Sequence, residues 1–435
     1  MRFKVFKNTV LFSIIFGIIL IVISCAGKAG SEKSDNGNEI KEQHFDRLSV
    51  TTSAKKEIIV GANQTETYLP LLKGKRVGIV ANQTSILKLS RQSVVEHDKI
   101  VDSEYHLVDY LNSNKSINVV KVFSPEHGFR GKADAGELVE DGKDKKTGLP
   151  IFSLHGKHKK PSDALLQDLD IVVFDIQDVG VRFYTYISTL HYVMEACAEN
   201  NIPLLILDRP NPNGSYVDGP VLEKQHRSFL GMHTIPLVHG MTIGEYAKMI
   251  NGEHWLNNGV QCHITVIPIK NYSHNSSYSL PVRPSPNLPN DQSIALYPSL
   301  GLFEGTNINA GRGTEFQFQR YGAPFLDSLK YVFTYTPKPN FGSKYPKHDG
   351  ELCYGVDLSS TKAERKFTLK HVLDAYHNAI DKSKVFNTDN FTKHAGTEKL
   401  QQQIEAGLSE TEIRKTWSKD LEHFKTIRSK YLIYD

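Results

Sequence analysis

Ile171-Val-Val-Phe174, followed at once by Asp175-Ile-Gln177-Asp178-Val-Gly180-Val-Arg182-Phe-Tyr184, is the stretch on which the fold turns. An unbroken apolar run of this length, without alternation, reads as a strand buried on both faces, which is the habit of parallel sheets. Its abrupt end in polar residues marks a strand terminus. Three other runs repeat the pattern. Arg76-Val-Gly-Ile-Val80 leads into Asn82-Gln83-Thr84, and Val119-Val-Lys-Val-Phe123 leads into Ser124-Pro-Glu126-His127-Gly128-Phe-Arg130-Gly131. Leu204-Leu-Ile-Leu207 leads into Asp208-Arg209-Pro-Asn211-Pro-Asn213-Gly214, and Cys262-His-Ile-Thr-Val-Ile-Pro-Ile269 is a fifth apolar run. Helical stretches lie between them at Tyr184–Asn200 and Thr242–Ile250, the latter with Thr242 and Glu245 at capping-box spacing. The alternation predicts an α/β fold with a Rossmann-like layered parallel sheet. Ligands of open α/β sheets bind beyond the carboxyl ends of the strands. Four polar clusters are therefore expected at one mouth.

Outward from this core, the 435 residues exceed one ordinary domain. After Tyr272 the texture changes to a polar segment and then Pro281, Pro284, Pro286 and Pro289, which forbid a regular helix. The expected organisation is a catalytic domain over 57–272 and a smaller α+β domain over 273–435 that completes the cleft. Ahead of them, Met1–Lys7 is basic and Val10–Ser24 almost wholly apolar, too short to span a bilayer and similar to a secretory signal. It ends in Val22-Ile-Ser-Cys25, which resembles a lipobox with Cys25 as the lipidated residue. Residues 1–24 are thus expected as a lipoprotein-type signal and 25–56 as a flexible tether. That makes the expected location a bacterial membrane, anchored by lipid and facing the periplasm or the exterior. A net charge of +4 is too slight for a nucleic-acid partner. Beyond Cys25 only Cys197, Cys262 and Cys353 remain, an odd and scattered set that suggests neither a disulfide framework nor a metal site.

Glu126-His127 is the sharpest chemical element. A carboxyl at a strand end between Phe123, Pro125 and Phe129 is expected to be partly desolvated, which raises its pKa toward general-acid work; His127 tunes it or binds substrate. The plainer alternative is a loop glutamate bonded to backbone amides. Asp175 and Asp178 are the candidates for the second carboxylate that most glycosidases need, one of them expected only to cap the following helix. Asp208, Arg209 and Asn211 lie on a proline-stiffened loop suited to sugar hydroxyls, or pair among themselves. Gly311-Arg312-Gly313 puts an arginine where backbone approaches closely. The first strand lacks G-x-G-x-x-G, and no P-loop, G-x-S-x-G or H-E-x-x-H occurs, so no cofactor and no metal are expected.

Taken together, these segments resemble the exo-β-N-acetylmuramidase (NamZ-like) family. The motifs that carry the resemblance run from about Lys73 to the C-terminus. They include Val80-Ala-Asn-Gln-Thr84, Phe123–Gly131, Phe174–Tyr186, Leu207–Gly214, Ser285-Pro-Asn-Leu-Pro289, Phe303-Glu-Gly-Thr-Asn307 and Gly311-Arg-Gly-Thr314. The resemblance implies a Rossmann-like catalytic domain with a smaller C-terminal domain, and Glu126 as catalytic acid. It also implies release of terminal β-1,4-linked N-acetylmuramic acid from non-reducing ends of peptidoglycan fragments. That sugar carries a lactyl carboxylate, the natural partner of a guanidinium; Arg130, Arg182, Arg209 and Arg312 are the candidates. Its acetamido group suits Asn82, Asn211 or Asn307, and Tyr184 and Glu304 complete the expected binding set. Two rival readings are a non-catalytic wall-binding lipoprotein and another wall hydrolase, an amidase or esterase.

Overall fold

The computed structural model describes residues 56–89, 103–131, 141–362 and 364–435. The signal, the tether up to residue 55 and Cys25 lie outside the described residues. The five apolar runs form strands of one seven-stranded sheet. Across it the order is Ile264–Ile267, Leu204–Leu207, Ile171–Asp175, Arg76–Ala81, Asn118–Ser124, Pro150–Ser153 and Gly142–Lys143. Only the last, a two-residue edge strand, pairs antiparallel; the rest are parallel. Numbered along the chain, the six parallel strands stand 6-5-4-1-2-3, the doubly wound order whose switch point falls between Arg76–Ala81 and Ile171–Asp175. The strand cores are buried without alternation because helices cover both faces. Cys197 and Cys262 are free thiols in that packing, as is Cys353 further on.

The C-terminal part carries a smaller antiparallel sheet, ordered Arg320–Ala323, Cys353–Asp357 and Phe333–Tyr335. Its main helices include Lys370–His377, Lys399–Glu405 and Glu410–Arg428. The main hydrophobic cluster does not stop near residue 272. It joins Phe174, Tyr186 and Met194 to Tyr297, Phe303, Phe391 and Phe424. The last residues return to the sheet: Tyr434 Oη donates to Asp208 Oδ2 at 2.7 Å, and the Ile433 and Tyr434 amides donate to Glu245 Oε1. Residues 56–435 accordingly form one compact unit.

Candidate active site

The polar clusters at the strand ends do meet, but mostly with one another. Arg209 donates to both oxygens of Asp175 at 2.6 and 2.9 Å, and both side chains are fully enclosed. Burial alone would lower the Arg209 pKa; Asp175 beside it holds it above the ordinary value. Asp208 accepts from Thr242 Oγ1, the Gly244 amide and Tyr434 Oη, and burial lifts its pKa to about 6 despite those bonds. The turn at Gly61 fills the space above: its amide donates to Asp208 O, and a Cβ there would meet the Asp208 amide at 2.6 Å. Asn211 Nδ2 donates to Met241 O while its Oδ1 accepts from the Asn213 amide. Asn82 orders the end of the first strand, donating to Tyr186 Oη and accepting from Thr84. Ser85 Oγ reaches Asp175 O at 2.5 Å, across the switch point. The crevice where a doubly wound fold usually binds its ligand is thus closed by the protein's own side chains.

The open cavity, of about 360 Å³, lies to one side, between the end of Asn118–Ser124, the start of the helix Tyr186–Glu199 and the C-terminal part. Glu126 and His127 line it. His127 has φ 70°, in the left-handed region that β-bearing residues adopt at a cost, and Gly128 follows at φ 78°. This tight turn, closed by the Gly128 amide on Pro125 O, sets Glu126 at the cavity edge while its neighbour His127 is buried. Thr185 sits at the N-cap of the helix, yet its hydroxyl makes no cap bond there. It donates instead to Glu126 Oε2 at 3.0 Å. The glutamate therefore stands beside the start of that helix.

The opposite wall comes from the C-terminal part. Glu304 lies in a tight turn, Gly301–Gly305, and accepts from Arg312 Nη1 at 3.2 Å. Arg312 Nη2 makes only a 3.3 Å bond to Gly342 O, and its Nε has no partner, so the guanidinium has donor capacity to spare. Lys347 fixes the turn from behind, donating to the carbonyls of Phe303, Glu304 and Thr306. Burial pulls its pKa down to about 8. Tyr297 stands between the two carboxylates: burial raises its pKa first, and then Glu304 and Glu126 both add to the rise. Tyr184, its hydroxyl on Pro284 O at 2.7 Å, and exposed Tyr345 at the rim complete an aromatic lining suited to a sugar ring.

Of the residues singled out from sequence, Glu126, His127, Tyr184, Glu304 and Arg312 line the cavity. The others do not, and their partners explain why. Asp175 neutralises Arg209. Asp178, expected as a carboxylate of the mouth or a helix cap, is buried and accepts from the Gly180 amide at 2.6 Å. Arg182 is wholly buried, donating to the carbonyls of Pro220, Ile235 and His394, and burial pushes its pKa down to about 9. Arg130 stacks on Phe129 and pairs with Asp109 and Asp144. Burial works against the Asp144 charge, but Arg130 and Thr147 hold its pKa at about 2. Asn307 points to Lys384 O. Asn82, Asp208, Arg209 and Asn211 make up the polar floor described above. Thr185, Asn287, Asn309, Lys347 and His394 were not anticipated. Asn287 lies in the Ser285–Pro289 motif, which served as a signal of kinship and not of a site. Lys347 sits in no pattern that marks it.

A cavity lined by two carboxylates and a guanidinium among tyrosines holds the group types that hydrolysis of a glycoside needs. Comparison with known proteins agrees. The family model described as exo-β-N-acetylmuramidase NamZ, N-terminal, matches residues 77–292, and its C-terminal counterpart matches residues 295–434. The chain belongs to the NamZ family of glycoside hydrolases. It is 40% identical over 385 residues to the peptidoglycan β-N-acetylmuramidase NamZ of Bacillus subtilis (strain 168), covering 84% of this chain and 89% of that protein. Two crystal structures of DUF1343 family proteins from Bacteroides fragilis NCTC 9343 share the fold. One has TM-score 0.77 and 45% identity, the other TM-score 0.70 and 28% identity; each match covers 87% of this chain and 99% of its own.

Proposed function

We propose that the protein is an exo-acting β-N-acetylmuramidase that releases terminal N-acetylmuramic acid from the non-reducing ends of peptidoglycan fragments. The observation that carries this reading is that Glu126 and Glu304 line one cavity, with Arg312 paired to the second carboxylate. Glu126 is the general acid. It passes its proton to the glycosidic oxygen as the anomeric bond breaks, while a water delivers hydroxide to the anomeric carbon and leaves its proton on an ionised carboxylate of the site. Glu304 is the second carboxylate of the site, in place of Asp175 or Asp178, whose oxygens are turned away from the cavity. Thr185 positions Glu126, and Lys347 positions the Glu304 turn. The test is direct: incubate the protein with a chromogenic β-N-acetylmuramide, the matching N-acetylglucosaminide and muramyl peptides. Free N-acetylmuramic acid is the expected product. Binding without release, or cleavage of amide or ester bonds only, would replace this reading with a binding protein or another wall hydrolase.

Arg312 reads the lactyl carboxylate in this proposal, because it alone of the four candidate arginines lines the cavity. Charge-assisted bonds of this kind are worth about 1.5–3 kcal/mol, so Arg312→Gln is expected to cut the preference for muramides over glucosaminides by roughly 10- to 100-fold. The readout is the ratio of the two kcat/KM values. An equal fall on both sugars would show that Arg312 serves only to hold Glu304.

The proposal extends to location. Residues 1–25 support a lipoprotein signal with lipid on Cys25, holding the protein to a membrane that faces the wall; a multiply acylated cysteine supplies the more than one chain that stable anchoring needs. Cys25→Ser is expected to shift the protein to the soluble fraction or to leave the signal uncleaved. Wild-type protein found soluble, processed elsewhere and without lipid on Cys25, would exclude the anchor.

A further inference from the structure

A second cavity of about 440 Å³ lies behind one wall of the first. The two share the turn Ser228–Gly231, closed by hydrogen bonds between those two residues and tied to the helix by Ser188 Oγ on Phe229 O. Leu230 of that turn lines the catalytic cavity, whereas Phe229 lines the second. The helix Tyr186–Glu199 also serves both. Its start lines the first cavity and His191 and Tyr192 line the second, about 9 Å further along the helix axis at 1.5 Å per residue.

The second cavity is aromatic and cationic. Tyr192 stacks on Phe229 with ring centroids 6.2 Å apart and planes 15° apart, and Lys159 Nζ lies 4.6 Å over the Phe229 ring. Half-buried Trp255 stacks on His233 at 4.3 Å and 17°. His233 is held by His191 and Tyr246, and burial lowers the pKa of both imidazoles. Positive charge therefore comes from Lys159 and exposed Arg227, and among the described residues no carboxylate lines this cavity. The composition suits a sugar ring bearing a carboxylate: apolar faces for the ring, two cations for the acid.

An exo-acting enzyme encloses the terminal sugar and leaves the rest of the strand outside, so the strand must cross one wall of the cavity. We propose that it crosses at Ser228–Gly231 and that the second cavity is a leaving-group subsite. There it binds an anionic saccharide unit on the reducing side of the scissile bond. This rests on the muramidase reading given above, with the carboxylate on Lys159 and Arg227 and the ring against Tyr192 and Trp255.

The test compares the full-length protein on three substrates: a chromogenic muramide with a small aglycone, a muramyl disaccharide, and the corresponding tetrasaccharide. Wild type is expected to show a higher kcat/KM on the tetrasaccharide than on the disaccharide. Tyr192→Ala is expected to lower the tetrasaccharide value by roughly 3- to 10-fold, the range of one aromatic contact, and to leave the chromogenic substrate unchanged. The double variant Lys159→Gln/Arg227→Gln, which alters only side chains at the surface, is expected to do the same. Equal wild-type rates on both lengths, or variants that slow all three substrates alike, would overturn the subsite while leaving the muramidase reading intact. Failure to cleave even the chromogenic substrate would overturn both.

Discussion

Glu126→Gln is expected to lower turnover of a β-N-acetylmuramide with a poor leaving group by about 10²–10⁴-fold, the range that general acid catalysis supplies. Substrate binding is expected to hold, because glutamine preserves the shape of the side chain and can still accept from Thr185, which lies 3.0 Å from the native carboxylate. The leaving group sharpens the test. A sugar alkoxide must be protonated as it departs, whereas a nitrophenolate needs little help. The variant should therefore lose far more on a disaccharide than on a nitrophenyl muramide. A folded variant that turns over the disaccharide at near wild-type rate would remove Glu126 from the acid role.

Glu304→Gln is expected to cost kcat about as much, roughly 10²–10⁴-fold, with the deficit present for good and poor leaving groups alike. The second carboxylate acts on the water or the anomeric centre, not on the departing oxygen, so leaving-group chemistry does not rescue its loss. Lys347 bonds to backbone carbonyls of this turn, and those bonds survive the substitution. A rise in KM with kcat intact would instead make Glu304 a positioning partner of Arg312, to which it is paired at 3.2 Å.

Particular residues show how far the sequence reads. Asp175 and Glu126 look equivalent along the chain, each a carboxyl where a buried strand ends. In space they part because Arg209 comes from the neighbouring strand end and meets Asp175 edge-on at 2.6 Å, whereas Glu126 takes a hydroxyl from Thr185 and lines the cavity. Arg182 and Arg312 likewise share a glycine-bearing context. One is driven inward to tie three backbone carbonyls together, the other stays at a cavity wall with a donor unpaired. Thr185 was hidden because a threonine before a helix reads as a cap, and only the bond to Glu126 shows otherwise. The Pro281–Pro289 segment was read as a helix breaker; through Tyr184 on Pro284 O and Asn287 at the lining, it is also a wall of the site.

What the sequence determined by itself is local and repetitive: unbroken apolar runs that must be buried on both faces, the polar residues that stop them, and the capping pair Thr242 and Glu245 that starts a helix. These follow from burial and backbone hydrogen bonding within a few residues, so they are legible in one dimension, and with them the doubly wound sheet. Which polar residues stay available for chemistry was decided only by tertiary structure. A charge at a strand end is neutralised or left open according to what a distant segment brings within about 3 Å. The part of the cavity wall that lies beyond the sheet domain in sequence is built from residues 285–394, more than 150 positions from Glu126 along the chain.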